Sequence, residues 1–378
     1  MPKRVWIAIL ILTIGLSAYL SCRWLLQPAL PPIVAVVMQF NNKNWPETVE
    51  IVSATELQEL RREMPRWQSQ NSTPPNGEVM SYQLEIVWAN QTVQTLYLTH
   101  DLRLFSASLT TEYLPPPRTS QLIGGLVQEL KNGRFGQLLP WSEASRLLPR
   151  YGICTLVDLE TGISWRAQRR AGSRHADIQP LTKADTARLK AAYGGSWSWD
   201  RRAVVVLVED KQIAASINGM PHGAGALDNG FPGHHCLHFA GSTTHSKTRP
   251  DPAHQIMVHK AAGNLHQYLA SLKPDELQVA MLAMAGQGDA AIVKLGILNP
   301  ADDSDPSRLV RSISNIKIWH SQLGEVQAGS LTGTYNLSIY FRNDPREYRR
   351  TITITSRYVG HLGRWLVEPD FLEQLVCR

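Results

Sequence analysis

The 378-residue chain reads as a mixed α+β protein of several domains set behind an apolar N-terminal segment. Three observations predict this: runs in which apolar and polar residues alternate, helix-start signals between those runs, and a length beyond what one small core organises. Hydrophobic residues at 43% and charged residues at 19% exclude a disordered chain.

The N-terminus comes first. Lys3 and Arg4 precede residues 5–22, eighteen positions without a charge, which is long enough for a membrane span. Positive residues before the span place the chain from about residue 30 outside the cytoplasm. A cleaved signal peptide is the competing reading, and Cys22 adds a hint of lipid attachment. Residues 1–29 are thus an anchor or signal segment, making the chain a single-pass membrane protein or a secreted one.

Residues 30–115 read as a small α+β domain. Ser53 with Glu56 three positions on forms a capping-box pattern opening a helix through Glu63, and residues 82–88 and 95–98 read as strands. Pro115, Pro116 and Pro117 form a stiff spacer. Residues 116–150 then read as a helical linker, in which Leu122, Ile123, Leu126, Val127 and Leu130 share one face.

Residues 151–272 read as the domain that carries chemistry. Strands are expected over 153–159 and from Ile163, with Trp165 and Ala167 on the same face. Thr182, with Asp185 three positions later, caps a helix ending at Gly194 and Gly195. The apolar run 203–208 predicts a strand buried on both faces, turning through Glu209, Asp210 and Lys211 into a partner over 212–217. That hairpin leads into a loop rich in Gly, Asn and His over 220–239, and Asp251 with Pro252 then starts a helix carrying His254, His259 and His266. Residues 273–378 read as a C-terminal α+β domain with strands over 335–341, 351–357 and 364–367 and a final helix from Asp370.

The chain has four cysteines, Cys22, Cys154, Cys236 and Cys377, and their spacing does not suggest a disulfide framework. Cys236 stands out because His222, His234, His235 and His238 surround it in sequence. Imidazole takes a proton from a thiol and stabilises the thiolate, and the same atoms also bind zinc. Eight of the twelve histidines fall between His222 and His266, and a helix face or polar loop explains His245, His254, His259 and His266 without chemistry. The zinc alternative draws on His222, His234, Cys236 and His238, with His175 or Asp177 within reach, but no HExxH motif is present.

The pattern His222-Gly223 … His234-His235-Cys236-Leu237-His238 resembles the signature of the L,D-transpeptidases, cysteine enzymes that cross-link bacterial peptidoglycan, over about residues 150–262. The resemblance implies a β-rich catalytic domain, here between the two small α+β domains read above, an extracytoplasmic location and no cofactor. It also implies Cys236 as nucleophile, His234 as base, His222 as a pocket histidine, and Gly223, Gly233, His235 and His238 at substrate-binding positions. His235 stands where the family has glycine, and His238 where it has arginine. Arg201, Arg202, Arg166, Arg169, Arg170 and Arg174 are candidates to replace that arginine. Backbone N–H groups of Gly230, Gly233 and Cys236 are candidate oxyanion donors. The implied reaction is acyl transfer or hydrolysis on peptidoglycan stem peptides through a Cys236 acyl-enzyme. The net charge of +6 suits an anionic cell-wall polymer or membrane face, whereas its diffuse spread argues against nucleic acid. Two further functions stay open: a non-catalytic cell-wall-binding or sporulation assembly protein, and a zinc-dependent hydrolase.

Overall fold

The computed structural model describes residues 30–42, 47–51, 53–74, 80–244, 249–298 and 306–376. The expected anchor (1–29), Cys22, His245 and Cys377 lie outside the described residues. Within them the chain is strand-rich and mixed α+β, with two open sheets and a closed six-stranded barrel.

The first sheet has seven strands, β1 (Ile33–Phe40), β2 (Thr48–Ile51), β3 (Gln68–Asn71), β4 (Met80–Trp88), β5 (Val93–Thr99), β6 (Leu104–Ser106) and β7 (Thr111–Leu114). Their order is β2-β1-β4-β5-β6-β7-β3. Val36, Met38 and Phe40 alternate with Leu84, Ile86 and Trp88 on the buried face, as period-2 patterning requires. Helix α1 (Ala54–Glu63) starts at Ser53 as expected, although the Ser53 side chain makes no capping bond. Helix α2 (Pro117–Arg134) begins on the proline run itself, because proline is tolerated where the first N–H groups have no helical partner. Its Ile123, Leu126, Val127 and Leu130 join the core of the first sheet. The segment read as a linker is thus packed along its apolar face, and it continues into α3 (Trp141–Leu147).

The barrel strands are β8 (Ile153–Asp158), β9 (Ser164–Ala171), β10 (Ala176–Pro180), β11 (Arg201–Val208), β12 (Lys211–Asn218) and β13 (His235–His238), closed in the order β10-β13-β12-β11-β8-β9. Helix α4 (Lys183–Ala192) has the Thr182 and Asp185 capping box fully formed. The continuous apolar run on β11 has the expected cause: Val204 and Val206 fill the barrel, while Ala203 and Val205 face outward into a second core. Helix α5 (Pro252–Ala261) lies against that outer wall, on β11 and β12. Two barrel strands, β10 and β13, were not expected; residues 235–238 read as loop and are strand.

Beyond α5 come α6 (Leu265–Ser271), α7 (Pro274–Ala285), α8 (Ala290–Gly296) and α9 (Pro306–Arg311). The third sheet follows, β14 (Ile313–Leu323), β15 (Ser330–Phe341), β16 (Asp344–Val359) and β17 (Arg364–Val367), in sequence order, and α10 (Phe371–Val376) ends it. The last three strands and α10 cover the expected elements, and β14 is additional. Ile256, Met257, Met281, Tyr335 and Ile354 belong to one cluster with Ala203, Val205 and Ala214, so the third sheet and the outer barrel wall share a core around α5.

Candidate functional site: a thiolate among imidazoles on the outer barrel wall

Cys236 sits on β13, directly opposite Asp177 of β10 in the antiparallel register. Ala176 and Ile178 on one strand and Leu237 on the other point into the barrel. The intervening residues His175, Asp177, Cys236 and His238 therefore share the outer face, where α5 and the 220–234 segment cover them.

The cover is built by hydrogen bonds. His222 N donates to His234 O at 3.0 Å and His234 N to His222 O at 2.9 Å, closing the loop between them. Gly223 at φ 61° and Gly233 at φ 130° make this pairing possible. A Cβ on Gly223 would fall 2.4 Å from His234 Cε1, and one on Gly233 2.5 Å from His222 O. Gln179 clamps the loop, donating to Gly233 O at 2.7 Å and accepting from Ala226 N at 3.0 Å. Asn229 ties it to the barrel rim by donating to Pro180 O at 2.5 Å.

The result brings His222 Nε2 to 3.3 Å from Cys236 Sγ. The other nitrogen, Nδ1, donates to Met220 O at 2.9 Å, which fixes the ring with Nε2 toward sulfur. His175 enters from the opposite side: its Nδ1 donates to Thr243 O at 2.8 Å and its Nε2 lies 3.1 Å from Asp177 Oδ1. His175, His238 and His254 stack as three near-parallel rings, with centroids 4.6 Å and 3.8 Å apart. His254 Nδ1 meets Ser216 Oγ at 2.9 Å beneath this column.

These partners set the charges. Burial alone pushes the Cys236 thiol up, but hydrogen bonds from His175, His222 and His238 outweigh it and bring the thiol down to about 4. Cys154, also buried but without such partners, is pushed up to about 12 by burial. Burial lowers His175, yet its hydrogen bonds to Asp177 and Cys236 raise it to about 10. The hydrogen bond to Cys236 raises His222 against the opposing effect of burial. His238 and His254 are lowered by burial and stay neutral at pH 7. Cys236 is therefore a thiolate facing an imidazolium.

Of the residues expected at the site, Cys236, His222 and His238 converge. His234 turns aside: Nδ1 donates to Ala224 O at 3.1 Å, and Nε2 lies 3.7 Å from Asp177. His235 is on the inward face of β13, fully buried with its ring against Phe231, and burial pushes it down to about 3. Strand alternation thus puts His235 on the opposite side from the sulfur. Gly233 N–H donates to Phe231 O at 2.9 Å, so that donor is already engaged. Among the arginines, Arg202 is paired with buried Asp158, Arg169 donates to Ser145 O, Leu148 O and Gly172 O, and Arg201 pairs with Asp251. Trp199, 51% exposed, packs its indole beside the His222 ring with centroids 5.2 Å apart.

His254, and the direct part of His175 and Asp177, exceed what sequence reasoning placed at the site. The available signal was the His-Ala-Asp spacing at 175–177, which puts both side chains on one face of a strand.

The fold and site together define a class by chemistry: a thiolate held by imidazoles on the outside of a small barrel. Compared with known proteins, the chain matches no family model and no curated protein.

Proposed function

We propose that the chain is an extracytoplasmic cysteine acyltransferase or peptidase acting on peptidoglycan stem peptides. In this reading the barrel is an L,D-transpeptidase-like catalytic domain, flanked by the two open-sheet units, the third sheet sharing a core with its outer wall, and carried by residues 1–29 as anchor. The observation that carries it is the hydrogen bond between Cys236 Sγ and His222 Nε2 at 3.3 Å, with Nδ1 of the same ring held by a backbone carbonyl. Such a pair is the nucleophile and proton carrier of covalent acyl transfer.

The Cys236 thiolate attacks a peptide carbonyl carbon, and the carbonyl electrons move to oxygen. Collapse of that intermediate expels the amine, which takes a proton from the imidazolium of His222, the half-buried histidine on the solvent side of the sulfur. A second amine, or water, then attacks the thioester, gives its proton back to His222 and releases the thiolate. His222 takes the proton-carrying role, because His234 faces Asp177 and Ala224 O instead. Asp177 and Thr243 O hold His175 as the charge partner of the thiolate. The small residues Gly223, Ala224, Gly225 and Ala226 next to His222 are exposed, and the Trp199 indole packs beside the His222 ring.

Intact-mass measurement after incubation with muropeptides tests this. An adduct on the wild-type protein that maps to Cys236 and is lost in Cys236→Ala is expected. Unmodified wild-type protein, with no change in the muropeptides, would overturn the reading.

A further inference from the structure

The acyl-transfer reading uses one imidazole as proton carrier, yet three from separate segments surround the sulfur. One ligating atom each from His175, Cys236 and His238 lie within 4.8 Å of one another, and all three residues are buried. His222 Nε2 reaches the same sulfur at 3.3 Å. Two further observations point to a ligand. Nδ1 of His238 is buried without a hydrogen bond, so that ring has a polar atom to spare for a ligand. The outer nitrogens of His175 and His222 are both fixed by backbone carbonyls, the second-shell arrangement that orients metal-ligating imidazoles. Asp177 Oδ1 lies 3.1 Å from His175 Nε2, beside the sulfur on the adjacent strand. Two acidic groups thus flank that nitrogen, where a cation belongs: a proton in one state, a metal ion in another.

We propose that His175, Cys236 and His238, with His222 as fourth ligand, bind one zinc ion or a divalent ion of similar preference, and that metal occupancy and acylation of Cys236 exclude one another. The second half rests on the acyl-transfer reading; the first half does not. One thiolate and three imidazoles suit zinc over calcium or magnesium, which prefer oxygen. Zinc bonds of about 2.3 Å to sulfur and about 2.0 Å to nitrogen need a contraction of the His175, Cys236 and His238 group, and His222, which reaches the sulfur but stands outside that group, completes the set by an inward turn of its loop. Four protein ligands leave no open position, so the ion holds the thiolate silent rather than activating water. His234, expected from sequence as a ligand, is replaced by His175.

The test uses the full chain in detergent, stripped with a chelator and titrated with cobalt(II), then with zinc against a chromophoric indicator. One equivalent of cobalt should give a thiolate-to-metal charge-transfer band with tetrahedral ligand-field bands, and Cys236→Ser should lose the charge-transfer band. His175→Ala and His238→Ala should each weaken zinc binding at least tenfold; His222→Ala, on the covering loop, serves should those buried variants misfold. Iodoacetamide labelling of Cys236, mapped by peptide mass, should be blocked by zinc and restored by chelator. No cobalt band in the wild type, or labelling as fast with saturating zinc as without it, would overturn the proposal. A normal cobalt spectrum on a chain that never forms an acyl-enzyme when metal-free would sink the acyl-transfer reading and leave the metal site standing.

Discussion

Asp177 and Cys236 face each other across the β10 and β13 pair, so a carboxylate and a thiol occupy the same rung on the outer barrel wall. Two acidic groups at that spacing repel unless a cation lies between them. His175 Nε2, 3.1 Å from Asp177 Oδ1, is that group. The rung therefore explains why this histidine is held up while its neighbour His238, stacked 4.6 Å away, is held down by burial.

The first prediction separates two histidines that look alike in sequence. His222→Ala is expected to slow turnover of a muropeptide substrate by about 10²-fold or more, because general acid and base groups contribute that much. His234→Ala is expected to cost less, since its ring contacts Asp177 and a carbonyl rather than the sulfur. Single-turnover acylation read by intact mass measures both, and the reverse ranking would return the proton-carrying role to His234.

The second concerns the loop that delivers His222. Gly233→Ala places a Cβ 2.5 Å from His222 O at φ 130°, a conformation largely confined to glycine, and Gly223→Ala places one 2.4 Å from the His234 ring. Each is expected to destabilise the paired loop by about 1–3 kcal/mol. The loop should then open and the ring leave the sulfur. Urea unfolding and acylation rate report the two consequences; wild-type acylation in both variants would show that this pairing does not position His222.

Much of the frame was legible because it depends on local pattern. Alternation revealed β9 and β15, strand-type runs marked β4, β5 and β17, the Thr182 and Asp185 box marked α4, and the run on β11 declared a strand buried on both faces. Cys236, His222 and His238 were legible as a cluster for the same reason, since all lie within one short segment. What stayed hidden is non-local. His175 and Asp177 join the site only because β10 pairs with β13 across about 60 residues of chain. Strand β13 itself was masked by its four residues, His-Cys-Leu-His, which carry little strand propensity of their own. His254 read as one of several helix-face histidines, yet α5 lies between the barrel wall and the third-sheet core, and Ala253 through Val258 are all buried.

A third prediction distinguishes structural arginine from substrate-binding arginine. Asp158, fully buried, receives two bonds of 2.7 Å from Arg202. Breaking such a pair strands a buried charge, so Asp158→Ala is expected to destabilise the barrel by about 3 kcal/mol or more. Arg202→Ala should act in the same direction without raising KM for a muropeptide beyond what loss of folded protein explains. A large KM increase in a fully folded Arg202→Ala protein would give this arginine a direct role in binding substrate.

The last prediction follows from the proton shared between Cys236 and His175. Folding lowers Cys236 from its ordinary value of 9.0 to about 4, so between those values the unfolded chain holds a proton that the folded chain lacks, and stability rises with pH. Folding raises His175 from 6.5 to about 10, so across that window the folded chain holds the extra proton and stability falls with pH. Where the windows overlap, from 6.5 to 9, the slopes oppose: folding moves a proton from sulfur to nitrogen without net release. The contribution of the pair should therefore rise from about pH 4, stay level through the overlap and fall as pH approaches 10. Cys236→Ser removes the rising component, while the hydrogen bonds to Asp177 and Thr243 O remain to raise His175 against burial, so the variant should lose stability with increasing pH where the wild type is level. Urea unfolding of metal-free wild type and variant at pH 6.5, 7.5 and 8.5 reads the difference between their slopes. Parallel profiles would mean that Cys236 is a neutral thiol in the folded chain and that the imidazoles around it are not charged on its account.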